Sequence, residues 1–140
     1  MARLVAAVSF FVTISSISAA ADDSSWYFTH FTSANSGLSF NNANAITQDA
    51  NGFIWVATED GLNRFDGAGF VTYYRERLGV STDFITALCP DSEGNVWIGT
   101  DAGATFYCYR DDAFIPLDNV SDQGTSIDTK VTQISIDSHG

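Results

Sequence analysis

The stretch DANGFIWVATEDG, from Asp49 to Gly61, returns 42 residues later as DSEGNVWIGTDAG, from Asp91 to Gly103. Asp49 falls on Asp91, Gly52 on Gly94, Trp55 on Trp97, Thr58 on Thr100 and Gly61 on Gly103. A catalytic signature occurs once in a chain. A unit that buries its face only against a copy of itself recurs at a fixed period. A further offset of 46 carries Leu88 to Ile134, Asp91 to Asp137 and Gly94 to Gly140, so a third copy begins in the last residues of the chain. The repeat also extends backwards, with Phe28 on Phe70, Phe31 on Tyr73, Gly37 on Gly79 and Ser39 on Ser81. The expectation is a piece of a longer array.

Each part of the unit has a physical reason. ANAITQ, FITALC and KVTQISI read as first strands, apolar or alternating over about six residues. DANG, DSEG and DSHG place Asp first and Gly fourth, the preferred pattern of a type I turn. FIWVAT and NVWIGT are second strands, each setting one Trp on a packing face. TEDG and TDAG repeat the turn chemistry, LNRF and ATFYCYR follow as third strands, and Asp66–Gly67 is a hairpin turn. FVTYY and FIPL are the fourth strands. Four antiparallel strands per roughly 42 residues is the measure of one β-propeller blade. The expected fold is all-β, a partial β-propeller of four-stranded antiparallel blades. Residues 26–40 are expected to form a closing strand and loop of the last blade, with Phe28–Phe31 as that strand. Residues 41–81 make the first blade, 82–126 the second, and 127–140 the start of a third.

The bulk properties bound the function. The 140 residues carry a net charge of -11, from 6 Lys+Arg against 17 Asp+Glu. Nucleic-acid backbones and anionic membrane surfaces would be repelled. Residues 1–21 read as a secretory signal peptide: one positive charge, the apolar run LVAAVSFFVTI, then small residues up to Ala21. Residues 22–140 are the propeller fragment, expected in the periplasm or otherwise outside the cytoplasm.

GLSFNNANAITQDANGFIWVATEDGLNRFDGAGFVTYY resembles the opening of two-component regulator propeller proteins. The residues that carry the resemblance are Gly37, Leu38, Ser39, Gln48, Asp49, Gly52, Trp55, Thr58, Gly61, Leu62, Phe65, Asp66 and Gly67, and in the second unit Asp91, Gly94, Trp97, Gly99, Thr100 and Gly103. The second unit departs from the pattern at ATFYCYRDD, where the family has Leu and then an aromatic-Asp pair. The resemblance implies the extracytoplasmic sensor of a membrane receptor. In such receptors a transmembrane helix and a histidine kinase or diguanylate cyclase output lie downstream. It further implies a small polar ligand, an oligosaccharide among them, and a homodimer for the full-length receptor. The alternatives from other classes are a propeller used as a protein-interaction scaffold and a fragment of a propeller lyase or glycosidase.

Because strands alternate in direction, the loops joining strands two to three and four to one share a face. That face carries the expected ligand-binding residues Glu59, Asp60, Arg75, Arg77 and Asp101. No cofactor and no metal are expected. DANG and DSEG lack the spacing and distal Glu of a calcium loop, and the sialidase Asp-box separates Asp from Gly by one residue, not two. No catalytic residues are assigned: His30, His139 and Lys130 stand without a nucleophile–base arrangement. Trp55 and Trp97 are expected in the core between blades. Asn119–Ser121 fits a glycosylation acceptor, and Trp26 lies outside the repeat. Cys89 and Cys108 fall on strands one and three of one blade, about 9.6 Å apart at two strand spacings. A disulfide requires Cα atoms within roughly 6.8 Å, so two buried, unpaired thiols are expected.

Overall fold

Eight short strands organise the structure, a computed structural model that describes residues 28–117 and 129–137. The expected signal peptide, residues 1–21, the expected acceptor Asn119–Ser121, Trp26, His139 and Gly140 lie outside the described residues. Strands β1 (Ala43–Gln48), β2 (Ile54–Thr58), β3 (Gly61–Phe65) and β4 (Phe70–Tyr73) form one antiparallel meander. Strands β5 (Ile85–Pro90), β6 (Val96–Thr100), β7 (Gly103–Cys108) and β8 (Ala113–Pro116) form a second of the same order. These are two blades of a β-propeller. No helix of the described residues is long and apolar enough to cross a membrane.

The turns form as their residue types dictate. Asp49 Oδ1 accepts the backbone N–H groups of Asn51 and Phe53, and Asp91 Oδ1 accepts those of Glu93 and Asn95. The fourth residues, Gly52 and Gly94, sit at φ 91° and 89°, where a Cβ would be strained. At the β3–β4 hairpin the N–H groups of Gly69 and Ala68 hold the Asp66 carboxyl below the usual carboxylate range. The β7–β8 hairpin lacks such a glycine. Asp112 itself takes φ 47°, a region that Asp tolerates better than most residues.

Both first strands carry an extra residue at the same place. Between Ala43 and Ala45 the pairing with β2 advances by one residue only, and it does so again between Ile85 and Ala87 on β6. The bulged residues, Asn44 and Thr86, turn their side chains outward to the next unit. Asn44 Nδ2 donates to the Ile85 carbonyl at 2.8 Å, and the Thr86 hydroxyl donates to the Val131 carbonyl. The backbone repeats this step, since Gly61 N–H reaches the Asp83 carbonyl at 2.8 Å and Gly103 N–H reaches that of Thr129 at 3.2 Å. The third copy is thus seated on the second blade as the second is seated on the first.

The core lies between the two sheets. Trp55, Ala57 and Leu62 from the first blade meet Ile85, Val96, Ile98 and Tyr107 from the second, and all are buried.

Three features depart from the sequence expectation. Arg75–Leu78 forms a single helical turn, α1, which drives Leu78 into the core. Phe28–Phe31 forms no strand: Phe28 is 91% exposed, and Phe31 packs on Phe65 and Phe70 at centroid distances of 5.3 and 5.6 Å. KVTQISI likewise forms no strand over its residues 130–136. A strand holds only while a neighbour accepts its backbone bonds. Among the described residues the ladder partners of the third copy end at Val131, whose N–H reaches the Thr100 carbonyl at 2.9 Å.

Candidate functional site

The β2–β3 and β6–β7 turns and the β4–β5 connection meet at one end of the blades. Thr58 and Thr100 shape the two turns alike, each hydroxyl donating to the carbonyl of Gly61 or Gly103 at 2.8 and 2.9 Å. The turns lift Glu59, Asp60 and Asp101 into solvent. Among the described residues their carboxylates meet no donor. They form an acidic rim able to accept hydrogen bonds from hydroxyl or ammonium groups.

The two arginines expected beside them are committed elsewhere. Arg75 pairs with Glu76 at 3.2 Å and Asp83 at 3.5 Å, while its backbone N–H donates to Asp83 Oδ1 at 2.6 Å. These bonds close the 75–83 connection on itself. Arg77 reaches instead toward the β7–β8 hairpin, its Nη2 lying 3.4 Å from the Asp112 carbonyl oxygen. No hydrogen bond or ion pair among the described residues joins either arginine to Glu59, Asp60 or Asp101.

A second polar constellation lies between the blades. Arg64 Nη1 donates to the Tyr107 hydroxyl at 3.0 Å, and that hydroxyl donates to Asp112 Oδ1 at 2.9 Å. The guanidinium carbon stands 4.8 Å from the Phe53 ring centroid and 5.6 Å from those of Trp55 and Tyr73. Burial, and then the bond to Asp112, pushes the Tyr107 hydroxyl up to about 12. Burial raises Tyr73 as well. This cluster joins residues some 43 positions apart and locks one blade to the next. It contains no nucleophile paired with a base. No group of three or more His, Cys, Asp or Glu among the described residues is placed to hold a metal ion.

The two tryptophans, alike in spacing, differ in surroundings. Trp55 is fully buried, stacked on Tyr73 and tilted on Tyr107 at 4.9 Å, and its Nε1 donates to Asp49 Oδ2 at 2.7 Å. Asn95 stands where the first blade has Phe53, and its Nδ2 takes the corresponding oxygen of Asp91 at 2.8 Å. Trp97 is half-buried and rests on Phe106 at 4.6 Å; among the described residues no ring of a following blade lies over it as Tyr107 lies over Trp55. It borders an open cavity of about 640 Å³ lined also by Asp91, Glu93, Asn95, Phe106 and Ile136. The repeat sets Tyr107 on Phe65 and Asn95 on Phe53, but nothing in its spacing marks Asp112, or the hydroxyl and the amide that these two positions gain. The only signal is that each breaks the likeness between copies.

Cys89 and Cys108 are unpaired, on β5 and β7 with β6 between them. Both are half-buried, not buried as expected, because they lie on the Trp97 face.

The family model for the two component regulator propeller matches residues 37–60 and 79–102. Over 57 residues the chain is 46% identical to Histidine kinase P4 from Formosa agariphila. That match covers 41% of this chain and 4% of the kinase. The extracellular domain assigned to a hybrid two component system from B. thetaiotaomicron aligns with a TM-score of 0.49 and 36% identity, over 55% of this chain and 12% of that one. The chain thus spans a small fraction of the length of these relatives.

Proposed function

We propose that this chain, which carries two copies of the two component regulator propeller repeat, is the ligand-sensing propeller segment of a bacterial membrane receptor, doing no chemistry of its own. The observation that carries the reading is the pair of family matches, one to each blade, on residues that shape turns and interfaces. The histidine kinase among its relatives supports a signalling role. The segment works outside the cytoplasm, exported by residues 1–21.

Its ligand is a small polar molecule, with an oligosaccharide favoured. The acidic rim of Glu59, Asp60 and Asp101 accepts bonds from its hydroxyls, and Arg75 and Arg77 flank the approach. Each contact is solvent-exposed and weak, so the rim binds through its three carboxylates together.

The test is a thermal-shift panel of oligosaccharides on this chain and on its Glu59→Ala, Asp60→Ala, Asp101→Ala triple variant. At a hundredfold excess over Kd a true ligand stabilises the fold by about 2.7 kcal/mol. A saccharide that raises the midpoint of the parent and not of the triple variant supports the reading. No shift from any saccharide, or equal shifts in both proteins, rejects the rim as the site. Export is tested separately, by amino-terminal sequencing of periplasmic product: a start after Ala21 is expected.

A further inference from the structure

The first strands of three consecutive copies line a small pocket whose described walls hold no carboxylate. Asn44 reaches it from β1, Phe84 and Thr86 from the start of β5, and Lys130 and Thr132 from the third copy. Its volume is about 340 Å³, at the lower end of the range for small-ligand sites. It lies at the same end of the blades as the acidic rim, because Ala43 pairs with Thr58 and Ile85 with Thr100, the residues that lead into the rim turns.

Backbone bonds fix its walls. The Phe84 N–H donates to the Thr82 hydroxyl at 3.1 Å, and the Phe84 carbonyl accepts the Asp101 N–H at 3.2 Å. Lys130 is held on both sides, since the Thr129 carbonyl accepts the Gly103 N–H and the Val131 N–H donates to Thr100. Asn44 and Thr86 each donate a side-chain proton to the neighbouring strand, which leaves their oxygens to accept. Lys130 is the only lysine of the chain, and among the described residues it makes no ion pair. Arg110, likewise unpaired, shares its cleft with Glu93 and Asp111. In a chain of net charge -11, the Lys130 pocket offers an anion a cation with no carboxylate beside it in the described walls.

We infer that this pocket binds the acidic sugar of a saccharide, a uronic acid at its simplest. Its carboxylate meets Lys130, the C–H face of its ring lies on Phe84, and its hydroxyls donate to the Asn44 and Thr86 oxygens. The inference rests on the saccharide reading above and deepens it by giving the ligand a charge. The rim alone repels such a group, and the amine next to it admits one.

Amide NMR titration of the isotope-labelled chain with methyl glucuronide and methyl glucoside tests this, since the two differ only by a carboxylate in place of a hydroxymethyl group. The Phe84 and Lys130 amides should shift with the glucuronide. Its Kd should be about fivefold lower than that of the glucoside, which is what an exposed ion pair supplies at its strongest. Lys130→Met should raise the glucuronide Kd to the glucoside value, while Arg110→Met, which removes a charge elsewhere, should match the parent. The same spectra show that each variant folds. Equal Kd values for the two sugars, shifts that avoid Phe84 and Lys130, or a Lys130→Met variant that binds as the parent does would each overturn the inference. The Glu59→Ala, Asp60→Ala, Asp101→Ala triple variant separates the two readings. If it alone loses both sugars, the rim stands and this pocket fails. If Lys130→Met alone loses the glucuronide, this pocket stands and the rim fails.

Discussion

Asp49 and Trp55 are joined by an indole-to-carboxylate hydrogen bond of 2.7 Å, while Asp91 and Trp97, at the same spacing, are not. The first carboxylate does two things at once: it caps a turn and satisfies a buried N–H. The second caps a turn and serves a neighbouring amide. Asp49→Ala should cost about 2–4 kcal/mol, the loss of a cap plus an unsatisfied buried donor. Asp91→Ala should cost about half of that. Urea unfolding at one fixed protein concentration compares them, and equal losses would contradict the distinction.

Tyr107 makes stability depend on alkaline pH. Its hydroxyl is raised from 10.0 to about 12 in the fold, so the native state holds that proton more tightly than the unfolded chain. The contribution is complete below pH 10 and is lost as pH rises toward 12, up to about 2–3 kcal/mol. Tyr107→Phe should lower stability by about 1–2 kcal/mol at pH 7 through the lost bonds to Arg64 and Asp112. It should also flatten the decline between pH 10 and 12. Thermal unfolding over that range reads both effects.

Gly79 ends α1 at φ 70°, with the Pro116 ring where a Cβ would project. Gly79→Ala must bear the left-handed conformation, about 1 kcal/mol, and also displace a ring held in β8. The total should exceed 2 kcal/mol, and the helix turn should lose Leu78 from the core. A variant as stable as the parent would show that the connection is free to rearrange.

The bulged side chains act forward along the chain. Asn44→Ala should cost about 1 kcal/mol by removing its bond to the Ile85 carbonyl. Thr86→Ala should leave the two-blade core unchanged in urea, yet speed hydrogen exchange at the Val131 amide by roughly tenfold, because one neutral hydrogen bond is worth about that factor. Unchanged exchange would show that the hydroxyl does not hold the incoming segment.

Cys89 and Cys108 should stay reduced when the folded protein is exposed to air, since a whole strand separates them. Mass spectrometry after alkylation should count two modified thiols. A disulfide formed without unfolding would contradict the strand order.

The strands and turns were legible because a repeat writes its local chemistry more than once: Asp49 and Asp91, Thr58 and Thr100, in one spacing. The blade-to-blade lock was not, because Arg64, Tyr107 and Asp112 meet only after two sheets have folded, and local spacing does not encode such a meeting. Helix α1 was missed for a nearer reason. Its N-cap, Tyr74, offers no capping bond, and the one hint was Gly79 placed just after RERL. Trp97 shows the limit of reading by likeness, since one change two positions earlier, Asn95 for Phe53, alters what the indole can bond. The rim residues lie at the turn tips expected of them, but the sequence did not show that Arg75 turns to Asp83 and Arg77 to the Asp112 carbonyl.

The bulge in β1, copied in β5, has a consequence for how such genes change. Each blade carries, in one out-of-register residue, the grip for whatever blade comes next. Duplication of about 42 codons therefore brings its own junction with it, and deletion of a copy leaves the two flanking copies with matching ends. Copy number can drift between lineages without new joints having to evolve, provided that the outermost blades find one another.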